Sequence, residues 1–327
     1  MRAVVVSGFC PPSKARIADM PLPPCGANDI LIKVAAAGVN PVDWKECEGN
    51  LAKFFVYPEM WIPGLDAAGI VHTVGFNVSK FKPGDRVVAF SDRGKGHNGT
   101  FAEYVRVLDH LAAIVPSSIT LEEAAAIPTA AVTGYQALVR PNKAGLSKGA
   151  TAFLHGASGG VGSYTVQFAK AIGLRVAASC STKNIDYVRS LGADLVLDYA
   201  SGGLAKAVRQ WEPAGVDAVI DCVSGGTLPD ALDALRPRGK LISIATLTQD
   251  GDISGDIKKT AQLGFTKIFA FVEYDRVGQE LAEILALMDK RVVKTPPLIN
   301  YPLEAGPEAM QRMKDGGIQG KIILKVG

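Results

Sequence analysis

The chain has 327 residues, which is enough for about two domains at roughly 150 residues each. Its hydrophobic share of 48% and charged share of 20% are typical of a globular enzyme, and a net charge of +3 is too small to favour a nucleic-acid surface. Five scattered cysteines argue against a disulfide framework and a cysteine-rich zinc site, so we expect a reducing, cytoplasmic compartment.

The first ~120 residues are predicted to form a compact, mostly β unit, because short β-branched runs alternate with turn signals such as Pro63-Gly64. The apolar run at the N-terminus is too short for a signal peptide, and we interpret it as the opening strand. No run of about 18 apolar residues occurs, which predicts that no segment spans a membrane. The predicted strands are Ala3–Val6, Asp29–Ala36, Ala68–Val74 and Asp85–Ala89.

From residue 121 the pattern changes to alternating helices and strands. The alanine-rich segment 121–138 predicts a helix, with Glu122 and Glu123 in the first turn, where the helix dipole favours acids. The alternation from Gly149 predicts a parallel sheet covered on both faces, and the strand-forming end at 319–326 is expected to return to the first domain. The predicted strands are Thr151–His155, Leu174–Ser179, Asp194–Leu197, Val216–Asp221, Lys240–Ala245 and Thr266–Val272, and the predicted helices are Gly160–Ile172 and Lys183–Leu191.

A glycine-rich turn, GASGGVG at 156–162, follows an apolar strand and opens a helix. In this context it is a variant of the dinucleotide fingerprint, because glycines let the backbone approach a pyrophosphate and the helix N-terminus supplies free N–H groups. A glycine-rich turn without a ligand is the alternative. The predicted cofactor contacts in this turn are Gly156, Ser158, Gly159, Gly160, Val161 and Gly162.

The residues after the second strand of this block predict which nicotinamide nucleotide binds. Enzymes specific for NAD usually carry an acid there, but this stretch reads SCSTKN over 179–184 and has no acid before Asp186. Ser181 and Lys183 would bind a 2′-phosphate, which a carboxylate would repel. We therefore predict NADPH, with Tyr199 covering the adenosine side. A solvated lysine and a surface tyrosine are the alternatives.

Seven ordered landmarks extend over nearly the whole chain, at 35–49 (AAAGVNPVDWKECEG), 62–75 (IPGLDAAGIVHTVG), 81–90 (FKPGDRVVAF), 99–107 (GTFAEYVRV), 125–138 (AAIPTAAVTGYQAL), 156–162 (GASGGVG) and 319–326 (QGKIILKV). Together they resemble the zinc-free quinone oxidoreductase and enone reductase branch of the medium-chain dehydrogenase/reductase superfamily. The resemblance implies an α/β protein with its active site in an interdomain cleft. A GroES-like, mostly-β catalytic domain would cover 1–123 and 268–327, and a Rossmann domain with a doubly wound parallel sheet would cover 124–267.

The resemblance also implies that no catalytic zinc is bound. Zinc-dependent members place a cysteine near the first landmark and a histidine in a Gly-His-Glu segment, whereas the matching positions here read Asn40 to Asp43 and Gly64-Leu65-Asp66. Leucine cannot ligate zinc, and a short loop at 91–99 stands in place of the structural-zinc lobe. Quinones and α,β-unsaturated carbonyl compounds, which accept hydride without a metal, are therefore the expected substrates.

The remaining site residues follow from the same resemblance. Asn40 is expected to donate to the substrate oxygen or orient the nicotinamide, unless it only caps the turn before Pro41; Asp43 is expected to hold the loop. Lys45 is expected to contact the cofactor, unless it is a solvated charge. The Cys222 thiol is expected to be inert. The nicotinamide end is predicted to lie beside Thr133, Cys222, Ile244, Ala245, Phe269 and Phe271. A helix threonine bonded to its own backbone is the alternative for Thr133.

Two alternatives to a quinone or enone reductase stay open. An enoyl-thioester reductase would need a basic groove for a carrier phosphate, and the sequence contains no clear basic cluster. A crystallin-like or regulatory relative would bind the nucleotide with little turnover. The resemblance further implies a homodimer joined through edge strands near Thr266–Val272, a small-molecule substrate, and no nucleic-acid or membrane partner.

Overall fold

The computed structural model of the protein describes residues 1–92, 99–223, 227–228, 230–244 and 253–327. They divide into two compact units, each described by itself. The β-rich unit comprises Met1–Val132, Glu273–Arg291 and Pro297–Gly327, and the parallel-sheet unit comprises Thr133–Val272 and Val292–Pro296. Both boundaries lie later in the chain than the expected 123/124 and 267/268. At the second boundary the reason is that Thr266–Phe269 pairs with a strand of the parallel sheet.

Strands predominate near the chain ends and alternate with helices in the middle. The strands are β1 (Arg2–Ser7), β2 (Arg16–Asp19), β3 (Asp29–Val39), β4 (Met60–Trp61), β5 (Asp66–Val74), β6 (Arg86–Phe90), β7 (Tyr104–Leu108), β8 (Ala112–Ile114), β9 (Thr151–His155), β10 (Arg175–Cys180), β11 (Leu195–Asp198), β12 (Val216–Asp221), β13 (Leu235–Ser243), β14 (Thr266–Phe269), β15 (Leu298–Pro302) and β16 (Lys321–Lys325). The helices are α1 (Pro41–Cys47), α2 (Leu121–Ala125), α3 (Pro128–Val139), α4 (Gly160–Ile172), α5 (Ile185–Ser190), α6 (Leu204–Trp211), α7 (Ile253–Gln262), α8 (Val277–Asp289) and α9 (Gly306–Asp315).

The β-rich unit is built around a seven-stranded sheet in the order β15-β16-β3-β5-β6-β8, with β7 also paired to β3. Strands β1, β2 and β4 form a second sheet. The C-terminal strand β16 pairs with β3, and Ile322 lies opposite Val39, so the chain end returns to the first domain as predicted. Burial of the apolar side chains along these strands supplies the main stabilising free energy of the unit.

The parallel-sheet unit contains six parallel strands in the order β11-β10-β9-β12-β13-β14. Every residue of β9 is buried, as expected for a central strand covered on both faces. The strand order reverses at β9, since β10 lies on one side of it and β12 on the other. In open parallel sheets, ligands bind beyond the carboxyl ends of the strands at such a reversal.

Several predicted bounds differ from the structure by one to three residues, and three elements differ in a way that has a structural explanation or bears on the site. The helix predicted over 121–138 is two helices, because Pro128 lacks an N–H and suits the first position of α3. The strand predicted at Lys240–Ala245 begins earlier, at Leu235, and Ala245 lies outside the described residues. The strand predicted over Thr266–Val272 ends at Phe269. Among the helices of the described part, none has the length and apolar character that crossing a membrane requires.

Candidate functional site

The glycine-rich turn between β9 and α4 has a backbone that only glycine tolerates at two of its positions. Gly156 has φ +81°, in the left-handed region that disfavours side chains. The Gly156 and Ala157 amides donate to Ser179 O at 3.1 and 2.9 Å, which ties the turn to β10. A Cβ on Gly162 would lie 2.3 Å from Gly156 O, so a side chain is sterically excluded there. The turn is therefore held close to the end of the neighbouring strand.

The first turn of α4 presents donors that suit an anionic ligand. Gly159 is the N-cap and has no side chain that competes for the helix amides. The bond from Ser163 N to Gly159 O, at 2.9 Å, closes the first helical turn. The amides of residues 160–162 precede this bond and have no intrahelical acceptor, and they lie at the positive end of the helix dipole. These residues fit the pyrophosphate of a dinucleotide.

A buried asparagine connects this turn to the end of β10. Asn184 Nδ2 donates to Ser158 Oγ at 3.0 Å and to Ser181 Oγ at 3.0 Å. Asn184 is buried, whereas Ser181 is half-buried and Ser158 lies in the glycine-rich turn. The contact orients two hydroxyls that the sequence assigned to the cofactor. Sequence reasoning missed Asn184, although it is adjacent to Lys183 in the SCSTKN stretch.

The predicted adenosine end contains one cation, one aromatic ring and one acid. Lys183 is exposed directly after β10, and Tyr199 is exposed directly after β11. Sequence reasoning missed Asp198, which is the last residue of β11. Its carboxylate accepts hydrogen bonds from Thr182 Oγ1 and Ala200 N. These bonds hold the pKa of Asp198 below its usual range, so the carboxylate is ionised at neutral pH. Its charge opposes a nearby phosphate, whereas Lys183 favours it.

Three of the other predicted cofactor segments of this unit lie at the same edge of the sheet. Cys222 follows β12, Ile244 follows β13, and Phe271 follows β14, which ends at Phe269. Burial, with a contribution from the Asp221 carboxylate, raises the pKa of the Cys222 thiol, so it is protonated and a poor nucleophile at neutral pH. Thr133 is buried on α3. The predicted cofactor residues outside α3 therefore lie at or just after the ends of all six parallel strands.

In the β-rich unit, Asn40 and Asp43 form the cap of α1. Asn40 N donates to Asp43 Oδ2 at 2.7 Å, and the pair forms a capping box with Pro41 at the first helical position. The side chain of Asn40 is 3% exposed. Its Nδ2 donates to Asp66 Oδ2 at 2.9 Å, and its Oδ1 accepts from Lys321 Nζ at 2.6 Å. These contacts give Asn40 a structural use and engage the amide that was expected to face the substrate.

Asp66 is the centre of a buried polar network. Its Oδ1 accepts from the N–H and the hydroxyl of Thr129, at the start of α3. Its Oδ2 accepts from Asn40 Nδ2 at 2.9 Å and lies 3.4 Å from Lys321 Nζ. Burial lowers the pKa of Lys321, and the carboxylates of Asp66 and Asp43 oppose that change. The network joins the first turns of two helices to strands β5 and β16.

The residues at this place do not fit a catalytic zinc ion. A carboxylate has about four acceptor positions, and the four donors of Thr129, Asn40 and Lys321 fill those of Asp66. Leu65 supplies no ligand atom. In the part of the chain that the structure describes, no three His, Cys, Asp or Glu side chains converge as a metal site would require.

Lys45 lies on α1 beside an aromatic ring. Its Nζ is 5.6 Å from the centre of the Trp44 ring, and Lys314 Nζ is at the same distance from that ring. Burial lowers the pKa of Lys45. A partly desolvated ammonium interacts more strongly with an anionic or carbonyl group than a fully hydrated one does.

A pocket that sequence reasoning missed lies between α1 and β4 in the β-rich unit. The Tyr57 hydroxyl donates to Glu46 Oε1 at 2.8 Å on one wall. The rings of Tyr57 and Trp61 are 5.0 Å apart, and Phe55 on the same pocket is partly exposed. Aromatic walls with few polar groups suit a flat, apolar ligand. The pocket is lined by Glu46, Phe55, Tyr57, Trp61, Ile62, Gly64 and Gly99.

Both ends of this chain match known protein families, and similar proteins align with nearly all of it. Residues 26–117 match the family described as alcohol dehydrogenase GroES-like domain, and residues 191–324 match the family described as zinc-binding dehydrogenase. The chloroplast envelope quinone oxidoreductase homolog of Arabidopsis thaliana is 34% identical, over 94% of this chain and 92% of that protein. The trans-enoyl reductase ACTTS2 of Alternaria alternata is 32% identical, over 99% and 98%. The structure of the quinone oxidoreductase from Coxiella burnetii superposes with a TM-score of 0.88 at 27% identity, covering 100% and 99% of the two chains.

Proposed function

This chain belongs to the quinone oxidoreductase branch of the medium-chain dehydrogenase/reductase superfamily, and we propose that it transfers hydride from NADPH to a quinone or an α,β-unsaturated carbonyl compound without a metal ion. It is an oxidoreductase that uses a pyridine nucleotide. The observation that carries the proposal is the turn at 156–162, where the amides at the start of α4 are free to bind a pyrophosphate.

The cofactor, when bound, supplies the hydride; the residues of this chain bind and orient it. We propose that Gly156, Gly159 and Gly162 keep the backbone close to the pyrophosphate while Ser158, Gly160 and Val161 supply donors. Thr133, Cys222, Ile244, Phe269 and Phe271 are proposed to line the nicotinamide end. The place of Cys222, Ile244, Phe269 and Phe271 at the carboxyl edge of the sheet supports this assignment. Thr133, on α3, is included from the family resemblance alone.

NADPH in preference to NADH is our proposal from the residues after β10. Ser181 and Lys183 provide a hydroxyl and an ammonium, and Asn184 holds the Ser181 hydroxyl in place. Tyr199 is proposed to cover the adenosine. The Asp198 carboxylate works against this choice, but Thr182 Oγ1 and Ala200 N already donate to it.

The substrate is proposed to bind in the aromatic pocket of the β-rich unit. Negative charge develops on the substrate oxygen as hydride arrives, so a nearby cation or donor stabilises the transition state. We propose that Lys45 stabilises this charge or contacts the cofactor. Its ammonium is partly desolvated, and it is adjacent in sequence to Glu46, which lines the pocket. Asn40 and Asp43 are proposed to act by holding α1.

We further propose a homodimer joined at β14 and a location in a reducing, cytoplasmic compartment. Within the described sheet β14 is an edge strand, so one of its sides is free to pair with a second copy. All five cysteines are free thiols, which supports a reducing compartment. Light scattering on the purified protein tests the dimer, and a monomeric mass would contradict it.

The activity is tested by following NADPH oxidation at 340 nm with 9,10-phenanthrenequinone, a short-chain enone and an enoyl thioester. Turnover of the quinone or the enone, with the thioester much slower, is the expected result. Preference for the thioester would indicate an enoyl-thioester reductase. Tight NADPH binding without turnover of any of the three would indicate a nucleotide-binding relative.

A further inference from the structure

Lys321 is a fully buried lysine with all of its hydrogen-bonding capacity used. An ammonium group has three N–H donors. Lys321 Nζ has three acceptors, at 3.1 Å from Val39 O, 2.6 Å from Asn40 Oδ1 and 3.4 Å from Asp66 Oδ2. Lys321 is 2% exposed and Asp66 is 0% exposed, so no solvent screens the two charges.

The three acceptors come from parts of the chain that are distant in sequence. Val39 and Asn40 are at the junction of β3 and α1, and Asp66 is the first residue of β5, 255 residues from Lys321. An oxygen cluster with a buried carboxylate requires a positive charge, and Lys321 supplies it. A metal ion in this place would have to displace the ammonium and break its three bonds.

We infer that the Lys321 ammonium is an internal cation, a positioning residue that holds Asn40 at the start of α1 and closes this oxygen-lined site to divalent metals. The kinetic part of this inference rests on the proposed function; the structural part does not. The family description that matches residues 191–324 implies a zinc protein, and the side chains of this chain disagree with that description.

Positioning follows from the capping geometry. Lys321 fixes the carbonyl end of the Asn40 amide, and the amide nitrogen then faces Asp66. Asn40 caps α1 through Asp43, and α1 carries Lys45 and the pocket residue Glu46. Loss of the ammonium therefore disturbs the groups proposed to contact the substrate, while the glycine-rich turn in the other unit keeps its own contacts.

The test compares Lys321→Ala with the wild type, with n-propylammonium chloride as the probe. Lys321→Ala is expected to lower Tm by roughly 10 °C, because it leaves a buried carboxylate without its cation. Propylammonium should raise the Tm of this variant by several degrees, and tetramethylammonium chloride at equal ionic strength should not. In turnover assays, kcat/KM for the quinone should fall at least tenfold and partly recover with propylammonium, while the Kd for NADPH stays unchanged.

A second variant keeps the inference testable if Lys321→Ala does not fold. Lys321→Met should be much less stable than Lys321→Met combined with Asp66→Asn, which removes both charges and keeps an oxygen acceptor for the two Thr129 donors. Equal stability of the single and double variants would overturn the inference, as would a propylammonium effect that is the same in wild type and Lys321→Ala. One equivalent of zinc bound by the wild type and lost in Asp66→Leu would overturn it too. The stability and zinc-binding measurements do not depend on turnover. A failure of this inference can therefore be distinguished from a failure of the proposed activity.

Discussion

Asn184 donates a 3.0 Å hydrogen bond from its Nδ2 to Ser158 Oγ, 26 residues earlier in the chain. The same nitrogen donates to Ser181 Oγ at 3.0 Å. One buried amide thus orients the Ser158 hydroxyl in the glycine-rich turn and the Ser181 hydroxyl after β10. If both hydroxyls contact the nucleotide, Asn184 prepares the site before the ligand arrives.

Asn184→Ala is predicted to weaken NADPH binding by roughly tenfold, because two hydroxyls lose the donor that orients them. NADH, which has no 2′-phosphate near Ser181, should lose less. The Kd values are measured by nucleotide fluorescence. The control is Asn300→Ala, at an exposed position of the other unit, which should bind both nucleotides as the wild type does. An unchanged Kd for NADPH in Asn184→Ala would show that the bridge is only structural.

Lys183→Ala is predicted to raise the Kd for NADPH by about 10- to 100-fold and to spare NADH, since the ammonium forms a charge-assisted bond with the phosphate. Asp198→Asn should have the opposite effect and tighten NADPH binding, because it removes a negative charge from the neighbouring strand end. Lys206→Ala, at an exposed lysine of α6, is the matched control. Equal loss of both nucleotides in Lys183→Ala would refute the phosphate assignment.

Two glycine-to-alanine changes in the turn separate folding from ligand binding. At Gly162 the new Cβ would lie 2.3 Å from Gly156 O, so this change is predicted to cost about 1–3 kcal/mol in the free energy of unfolding. At Gly159 the nearest atom would be Gly156 O at 3.6 Å, an ordinary contact. Gly159→Ala should therefore keep its Tm and still lose NADPH affinity. Calorimetry measures the Tm of both variants, and nucleotide titration measures their Kd for NADPH. An unchanged Kd for NADPH in Gly159→Ala would show that the pyrophosphate does not bind at this turn.

Phe55→Ala is predicted to raise KM for the quinone several-fold without changing the Kd for NADPH, because it removes one aromatic wall of the pocket. Phe76→Ala is the control, since Phe76 is 88% exposed in the same unit and lies outside the pocket lining. Steady-state kinetics with both substrates distinguish the two variants. If Phe55→Ala and Phe76→Ala behave alike, the substrate does not bind in this pocket.

The native thiols are predicted to resist alkylation at pH 8. Burial, together with the Asp198 carboxylate, raises the pKa of Cys180 to about 11, and burial also raises the pKa of Cys222. Only the thiolate reacts, and near pH 8 its fraction at Cys180 is about a hundredfold below that of an ordinary cysteine. The rate at Cys180 should keep rising as the pH approaches 11. Mass spectrometry after iodoacetamide treatment, with and without denaturant, measures it; fast labelling of Cys222 in the native protein would contradict its assignment as an inert group.

The amino-acid sequence alone predicts the parallel sheet and the cofactor turn. Thr151–His155, Gly160–Ile172 and Val216–Asp221 have the same bounds in prediction and structure, because short apolar runs and a 3.6-residue period are local properties of the chain. The glycines of the turn are also informative without coordinates, since their conformational need is local. Boundaries next to proline and between the two units were less accurate.

Tertiary structure alone decided the roles of groups that depend on distant partners. From the sequence, Asn40 could be either a hydrogen-bond donor to the substrate or a helix cap. In the structure, contacts with Asp66 and Lys321 occupy its side-chain amide. Lys321 in QGKIILKV reads as an ordinary strand lysine until β16 pairs with β3 and buries it. The physical reason is that burial and charge compensation are set by contacts across hundreds of residues, which no local pattern encodes.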